Sequence, residues 1–289
     1  MGSTRLAVIE AGAIVGELGL LTGSHRRATV TALTDAVVEI GDSDRFVHCL
    51  GDSEFVASIA GAVADRLASL APPVTIALAR GGEVTLRPGL ATDRSALDAG
   101  LAAMSRESLR RRFFSGGVPP KSVIDRLADF DYVDHFAWVA SEGAHPDGEL
   151  IGSARFFRSA HDPKSADVSF GVIDRAQQRG IGHVLVEAIA VAAGVAGIHR
   201  LTADVLRENE PMRSLLRRPS TRTSSSERGV VHLDMVVAEF GGTLAVEIRQ
   251  KLEEVGSSSI WHTASLLTGI QHDLIDDVGR RRLPDAALG

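Results

Sequence analysis

Apolar residues recur at helical spacing in several stretches of the chain. From Ser53 to Leu70 they lie three or four positions apart, which is typical of an amphipathic helix. Pro72-Pro73 ends this pattern, because proline cannot continue a helix. Residues 92–112 and 182–196 also predict helices, and a shorter helix is expected over residues 211–217.

Short runs rich in Val, Ile, Thr and Phe predict strands on both sides of the proline pair. In the first part of the chain they cover residues 6–9, 28–33 and 36–40. In the second part they cover residues 84–87, 136–140, 149–158, 166–173, 201–206 and 230–237. The polar stretch 219–226 is predicted to be a loop. The mixture of helices and strands places the chain in the α+β class.

A weakly patterned segment around Arg80-Gly81-Gly82 separates the two parts, and we place the domain boundary between Pro72 and Glu83. The length of 289 residues also favours two domains. The expected organisation is a first domain over 1–72, a linker over 73–82, a second domain over 83–237 and a tail over 238–289. The tail has one predicted helix, near Thr243 to Val255, and no motif that assigns it a role.

Composition narrows the possible partners. The chain is 44% hydrophobic and 24% charged, as is ordinary for a globular protein. Its 31 Lys and Arg against 37 Asp and Glu give a formal charge of -6, which argues against a nucleic-acid partner. The single cysteine, Cys49, excludes an intramolecular disulfide framework and a cysteine-rich zinc site. His161, Asp162 and Asp167 lack the spacing of a metal site, so we expect no metal.

Targeting signals and membrane segments are not predicted. The first residues lack the long apolar core of a secretory signal. The longest apolar run, Val184 to Ile198, contains Glu187 and is shorter than the roughly 18 apolar residues that a membrane span needs. We therefore expect a cytoplasmic protein without a membrane partner.

The sharpest motif of the first part lies between Gly16 and Thr29. It combines a carboxylate (Glu17), a short apolar turn with free backbone N–H groups, and a guanidinium (Arg26). These groups suit a cyclic phosphodiester, because the N–H groups and Arg26 bind phosphate while Glu17 accepts from a ribose hydroxyl. A β-turn followed by a solvated arginine pair is the alternative interpretation.

This motif resembles the phosphate-binding cassette of the cyclic-nucleotide-binding domain family. The resemblance implies that Glu17 binds the ribose 2′-hydroxyl, Arg26 binds the cyclic phosphate of cyclic AMP, and Thr29 lies near the base. The full set of implied contacts is Gly16, Glu17, Leu18, Gly19, Arg26, Arg27, Ala28 and Thr29. Few residues precede the cassette, so we expect only the rear half of the family's β-roll, followed by its C-terminal helix at Ser53 to Leu70.

The second motif is Gln177-x-x-Gly180-x-Gly182, at the turn from the strand 166–173 into an apolar helix. Glycines at such a turn let backbone N–H groups converge on a pyrophosphate at the helix N-terminus. The motif resembles the acyl-CoA-binding signature of the GNAT family of N-acetyltransferases, and the resemblance extends over residues 83–237. It implies a mixed sheet flanked by helices, with acetyl-CoA as co-substrate. The implied acetyl-CoA contacts are Val172, Ile173, Gln177, Arg179, Gly180, Ile181, Gly182 and Asn209.

Asp167 is the candidate catalytic residue. Alternation along the strand places it opposite the Val168 and Phe170 face, so it faces the cleft if that face packs on a helix. By the resemblance, its position matches a glutamate that acts as general base in related protein acetyltransferases. The alternatives are a solvated strand-edge carboxylate for Asp167, and His135 or His183 as the base.

Two further features have more than one interpretation. Arg110-Arg111-Arg112 is expected to be a solvated helix face, with contact to an acidic substrate as the alternative. Asn209 offers its amide either to CoA or to the N-terminus of the helix that starts beside Pro211.

After Arg218 the chain has Pro219-Ser220 where the GNAT family often has an apolar residue and a glycine, so the substrate-side wall is expected to differ.

The order of the two motifs resembles the mycobacterial-type cyclic-AMP-regulated protein lysine acetyltransferases, here N-terminally truncated. The resemblance implies acetyl transfer to protein lysines, with acyl-CoA synthetases among the substrates, under cyclic-nucleotide control. Two alternatives remain open. One is a small-amine acetyltransferase with a vestigial sensor, and the other is a non-catalytic regulator that binds CoA or a cyclic nucleotide.

Overall fold

The computed structural model describes residues 13–17, 29–42, 45, 48–49, 52–146, 148–225, 229–242 and 244–256. Two compact units make up the chain, Met1–Ala64 with Thr263–Gly289, and Asp65–His262. The second unit contains the sheet and the candidate active site. Within the described ranges, no helix is long and apolar enough to cross a membrane.

Helices and strands follow one another along the chain in a mixed order. The helices are α1 (Ser53–Leu70), α2 (Arg94–Ala102), α3 (Arg106–Phe113), α4 (Lys121–Ala128), α5 (Ile181–Val195), α6 (Glu210–Leu216) and α7 (Val246–Gly256). The strands are β1 (Val74–Ala77), β2 (Glu83–Pro88), β3 (His135–Glu142), β4 (Leu150–Arg158), β5 (Ser165–Val172), β6 (Arg200–Leu206), β7 (Arg222–Ser225) and β8 (Val230–Val236).

The eight strands form one mixed sheet in the order β1-β2-β3-β4-β5-β6-β8-β7. Neighbouring strands are antiparallel except for β5 and β6, which are parallel. A parallel pair needs a crossover connection, and α5 supplies it between these two strands. The predicted mixed sheet flanked by helices is therefore confirmed.

Side-chain alternation gives the sheet an apolar face that packs on α5. Trp138 and Phe156 lie fully buried on this face, and the Trp138 indole N–H donates to the Ala188 carbonyl of α5 over 3.1 Å. Nearly every residue of α5 is buried, which explains its apolar composition. On β5 the same face carries Val168 and Phe170, so the opposite face carries Asp167, as the alternation predicted.

The strands predicted in the first part of the chain are not observed where the structure describes it. Residues 29–42 have neither helix nor strand, and Val37, Val38 and Ile40 are exposed. A β-rich sequence becomes a strand only when another strand pairs with it, and none of the described residues does so here. The predicted strand 6–9 lies outside the described residues.

Three elements of the second unit were missed. The predicted linker 73–82 contains β1, which pairs with β2 through a turn that has Gly81 and Gly82 at positive φ. The predicted loop 219–226 contains β7, which pairs with β8, and α4 was not anticipated. The helix predicted over 92–112 is interrupted, because the Ser105 hydroxyl accepts from the Ser108 N–H and starts α3 anew.

The tail contains the predicted helix, which packs on α5. Glu187, the one carboxylate of α5, is buried and accepts hydrogen bonds from the N–H groups of Gly242 (3.2 Å) and Leu244 (3.0 Å). It also pairs with Arg249 of α7 at 3.2 Å. This carboxylate therefore holds Gly242, Leu244 and α7 against the core helix.

We expect the substitution Glu187→Ala to lower the free energy of unfolding by about 2 kcal/mol, because it leaves Arg249 and two backbone N–H groups without their acceptor. Urea unfolding followed by circular dichroism measures this loss. Glu253→Ala is the matched control, since Glu253 is half exposed and its contact with Arg249 spans 3.9 Å. Equal stability of the two variants would contradict the anchoring role of Glu187.

Candidate active site

The parallel strands β5 and β6 separate after three residue pairs. Their register joins residues 165–167 to residues 200–202 and ends at the pair of Asp167 and Thr202. Both strands continue beyond this point, β5 to Val172 and β6 to Leu206. No ladder bonds join these continuations, so a wedge-shaped opening lies between them, with Asp167 at its narrow end.

Asp167 has the electrostatic environment of a weak base. Asp167 is exposed, yet the protein around it partly desolvates its carboxyl group, and this desolvation raises the pKa of the group to about 6. The negative charge of Asp204 raises the pKa further, while a 3.4 Å hydrogen bond from the Thr202 hydroxyl opposes the shift. Asp167 therefore titrates close to neutral pH.

Polar groups extend from Asp167 across the next two strands. Asp204 of β6 faces His232 of β8, and the His232 Nδ1 lies 2.9 Å from the Asp204 carboxylate. Two residues along the strand, Thr202 faces Asp234, which forms an ion pair with Arg200. Sequence reasoning missed Asp204 and His232, because they come from strands that no local pattern connects to Asp167.

The predicted CoA turn has the geometry of an anion site. Gly180 precedes α5 with a left-handed φ of 95°, and Gln178 also has a positive φ. No side chain caps this helix end, so the first N–H groups of α5 are open to a ligand. With the positive end of the helix dipole they suit a pyrophosphate, and the turn thus fits the CoA group that the motif predicts.

Two polar side chains of the motif stabilise the turn from within. The Gln177 amide donates to the Val172 carbonyl (3.1 Å) and to the Ser108 hydroxyl (3.2 Å). Arg179 forms an ion pair with Glu142 at 2.6 Å. Both side chains therefore hold the shape of the turn in this structure, and their predicted contact with CoA stays a prediction.

Asp174 fastens this turn to helix α3. Its carboxylate accepts from the Ser105 N–H (2.9 Å), the Ser105 hydroxyl (2.7 Å) and the Ser108 hydroxyl (2.9 Å). Desolvation opposes ionisation, but the hydrogen bonds from Ser105 and Ser108 prevail and hold the pKa of Asp174 below its usual value. The turn and the start of α3 are thus positioned by one carboxylate.

The remaining CoA candidates line the approach to the turn. A Cβ at Gly182 would lie 3.2 Å from the Leu215 side chain, so a larger residue would require that side chain to shift slightly. The Asn209 side chain accepts from the Met212 N–H over 3.3 Å and caps α6. The N-cap interpretation of Asn209 is confirmed, and its amide N–H₂ group is the part that remains for a ligand. Ile173 and Ile181 are buried, and Val172 is partly buried.

The alternative bases lie in different environments. His135 is buried, stacks on Phe157 with ring centroids 4.0 Å apart, and has its Nδ1 2.6 Å from the Asp129 carbonyl. Burial, and secondarily the positive charge of Arg155, lowers the pKa of His135 to about 4. Such a histidine stays neutral and serves the packing. His183 is exposed in the first turn of α5.

The three arginines of α3 do not form one solvated face. Arg110 and Arg111 pair with Glu107 at 3.1 and 2.8 Å, as expected for exposed side chains. Arg112 instead packs beneath the helix against Gly171 of β5, where a Cβ would overlap its guanidinium. The sequence prediction is correct for two of the three residues.

The cassette of the first unit is described only in part. Gly16 has a positive φ of 92°, Glu17 is buried and Thr29 is exposed. The other candidates for nucleotide contact, Leu18, Gly19, Arg26, Arg27 and Ala28, lie outside the described residues.

Comparisons with known proteins agree with this geometry. The model of the Acetyltransferase (GNAT) family matches residues 104–218, which include β5, the glycine turn and α5. The crystal structure of the GNAT domain of S. lividans PAT is similar with a TM-score of 0.51 and 29% identity, over 57% of this chain and 96% of that domain. The fold and the cleft therefore define an acetyl-CoA-dependent N-acetyltransferase of the GNAT class.

Two relatives that are longer than this chain show to which family it belongs. Acetyltransferase Pat of Mycolicibacterium smegmatis is 37% identical over 232 residues, which are 79% of this chain and 68% of that protein. The structure of a cAMP-binding acyltransferase from Mycobacterium smegmatis is similar with a TM-score of 0.51 and 29% identity, over 78% of this chain and 66% of that one. The chain belongs to the Pat acetyltransferase family and spans about two thirds of the length of these relatives.

We expect the substitution Asp204→Asn to lower the pKa of Asp167 by roughly 0.5 pH unit, because it removes the neighbouring negative charge. Carboxyl ¹³C shifts followed through a pH titration measure this change directly, without an activity assay. Asp98→Asn is the control, since Asp98 is exposed on α2 and removes the same charge elsewhere. An unchanged pKa of Asp167 in Asp204→Asn would show that burial alone sets its value.

Proposed function

We propose that this enzyme transfers the acetyl group of acetyl-CoA to lysine side chains of proteins, with Asp167 as the general base. The observation that carries the proposal is the position of Asp167, at the narrow end of the opening between β5 and β6, with a pKa of about 6. A carboxyl group with this pKa is mostly ionised at neutral pH, and it binds a proton more strongly than an ordinary aspartate.

The chemistry requires such a group. A lysine amine, with an ordinary pKa near 10.4, is mostly protonated at neutral pH and must lose a proton to become a nucleophile. The bound acetyl-CoA supplies the activated carbonyl. Asp167 accepts the amine proton, and because its side chain is one methylene shorter than that of glutamate, a bridging water extends its reach.

The charge around Asp167 favours a cationic acceptor. Asp204 lies on the neighbouring strand and raises the pKa of Asp167 through its own negative charge. A lysine ammonium that enters the cleft meets both carboxylates. The His232 Nδ1 contacts the Asp204 carboxylate at 2.9 Å and partly offsets its negative charge. The resemblance to protein lysine acetyltransferases supports protein acceptors, and acyl-CoA synthetases are the acceptors to test first.

We expect the substitution Asp167→Asn to lower kcat/KM for acetyl transfer by about 10²- to 10⁴-fold, because it removes the proton acceptor. In the wild type, kcat/KM falls as the pH decreases through about 6, because protonated Asp167 cannot act as a base. In Asp167→Asn this acidic limb disappears. Release of CoA thiol with a lysine-bearing protein measures both.

Two results would contradict the proposal. Activity of Asp167→Asn equal to that of the wild type would exclude Asp167 as the base. Transfer to small amines without transfer to protein lysines would assign the enzyme to the small-amine acetyltransferases. Asp162→Asn is the matched control, because Asp162 is an exposed carboxylate in the turn that precedes β5.

We further propose that residues 1–72 form the rear half of a cyclic-nucleotide-binding domain that regulates the acetyltransferase domain in the cytoplasm. The cassette between Gly16 and Thr29 and the similarity to a cAMP-binding acyltransferase support this assignment. In this arrangement Glu17 and Arg26 bind the ribose and the cyclic phosphate. The acetyltransferase domain then comprises residues 83–237 together with β1, and it continues into the tail through α7.

We expect cyclic AMP to change the rate of acetyl transfer by the wild type, and Arg26→Gln to abolish this response because it removes the phosphate partner. Basal activity without nucleotide stays the same. Arg45→Gln is the control, because Arg45 is exposed and lies outside the cassette. Steady-state rates and calorimetric titration with cyclic AMP provide the measurement. An identical response in Arg26→Gln would reject the assignment of the cassette.

A further inference from the structure

Two arginines lie together on the cleft side of the sheet. Arg112 extends from α3 and contacts Gly171 of β5, and its guanidinium has a pKa lowered to about 10 by desolvation. It lies 5.4 Å from the centre of the Phe113 ring. The mechanism proposed above uses neither this side chain nor its charge.

Arg155 of β4 is the second member of the pair, and it is completely buried. Its guanidinium donates to the Leu127 carbonyl and, over 3.2 Å, to the Ser153 hydroxyl. Its Nε is buried without an acceptor among the described residues. Desolvation, and secondarily the positive charge of Arg112, lowers the pKa of Arg155 well below its usual value.

Arg112 lines a small cavity, and Arg155 lies buried behind one of its walls. Ser153 and Gly171 are direct cross-strand partners, so the contact of Arg155 with the one and of Arg112 with the other places the two arginines on either side of this pair. Ser153, Gly171 and Arg112 line the cavity. Its other walls are largely apolar and include Leu101, Met104 and Ile173.

The pair has no counter-charge within the described part of the chain. Arg110 and Arg111 of the same helix have carboxylate partners, whereas the described residues place no carboxylate within ion-pair distance of Arg112 or Arg155. Arg155 is completely buried and Arg112 is half-buried, and holding two positive charges close together away from water is costly unless an anion joins them. The cavity therefore offers a positive charge for a carboxylate and apolar walls for a short hydrocarbon chain attached to it.

The cavity also lies beside the expected path of the acyl donor. Gly171 belongs to the part of β5 that borders the opening, and Ile173 leads into the CoA turn. A short chain on the thioester would meet the guanidinium of Arg112, which lines the cavity together with Gly171 and Ile173.

We propose that Arg112 binds the free carboxylate of a dicarboxylic acyl group, with the positive charge of Arg155 behind Ser153 adding to the attraction, so that the enzyme accepts a short dicarboxylyl thioester such as succinyl-CoA as a second acyl donor. This inference rests on the proposed function of the same cleft. The amine nitrogen forms a C–N bond with the succinyl carbonyl carbon, the C–S bond breaks, and CoA leaves as the thiol after the amine has lost its proton. The distal carboxylate stays unchanged in its ion pair with Arg112.

The test compares three donors with the full chain and one lysine-bearing acceptor. Succinyl-CoA carries the carboxylate, butyryl-CoA has the same chain length without it, and acetyl-CoA is the reference. We expect Arg112→Gln to lower kcat/KM for succinyl-CoA by about 30-fold, as for loss of one partner of a buried charge pair. We expect butyryl-CoA and acetyl-CoA to change by less than about threefold. Arg111→Gln, the exposed neighbour, leaves all three donors unaffected.

Calorimetric binding separates this inference from the proposed function. Wild-type protein should bind succinyl-CoA about tenfold or more tightly than butyryl-CoA, and Arg112→Gln should abolish the preference. Arg155→Met should also remove the preference, provided that cooperative thermal unfolding shows that this variant is folded. If the enzyme transfers acetyl groups but does not bind succinyl-CoA more tightly than butyryl-CoA, the carboxylate site is overturned and the proposed function stands. The binding preference without any acetyl transfer supports the carboxylate site and overturns the proposed function instead.

Discussion

The separation of β5 and β6 after Asp167 is the constraint on which the rest of the site depends. Within a sheet, backbone N–H and C=O groups normally pair with the next strand, and leaving them unpaired is costly. Here the ladder stops after residues 165–167 and 200–202, and the two strand edges beyond face each other across an opening. An extended ligand with its own amide groups satisfies such edges as an added strand does. The same opening places Asp167 where a ladder ends and solvent enters.

Contacts on both faces of β5 keep the opening in place. Helix α5 packs on one face, and on the neighbouring strand β4 a Cβ at Gly152 would lie 3.3 Å from the Leu185 side chain. On the other face, Asp174 holds the start of α3 through Ser105 and Ser108. The tail contributes from outside, because Glu187 fixes α7 against α5. The cleft is therefore a product of helix packing and of two carboxylates, the exposed Asp174 and the buried Glu187, and α5 is the element that joins them.

The sequence predicted the parts of this arrangement that are local. Strand β5, the glycine turn and α5 follow one another within about 30 residues. The hydrophobic periodicity and the glycines of this segment predict each of the three elements. Strand β1 was missed because four residues show no pattern until β2 pairs with them, and β7 was hidden in a run of Ser and Thr. The partners of Asp167 were missed for a related reason, since Asp204 and His232 reach it only through the pairing of β6 and β8. Arg110, Arg111 and Arg112 looked alike in sequence, and only the helix packing distinguishes the third.

Opposite charges occupy the two ends of one face of β5, and their separation matters for the chemistry. Asp167 and Gly171 are four residues apart, about 13 Å along an extended strand. The Arg155 guanidinium donates to the Leu127 carbonyl. The pKa of Asp167 is accordingly governed by burial, Asp204, Thr202 and His232, without a contribution from either arginine. Arginines closer to Asp167 would lower its pKa and weaken it as a proton acceptor. One strand can thus hold a basic carboxylate for the amine at one end and a cationic site for an anionic group at the other.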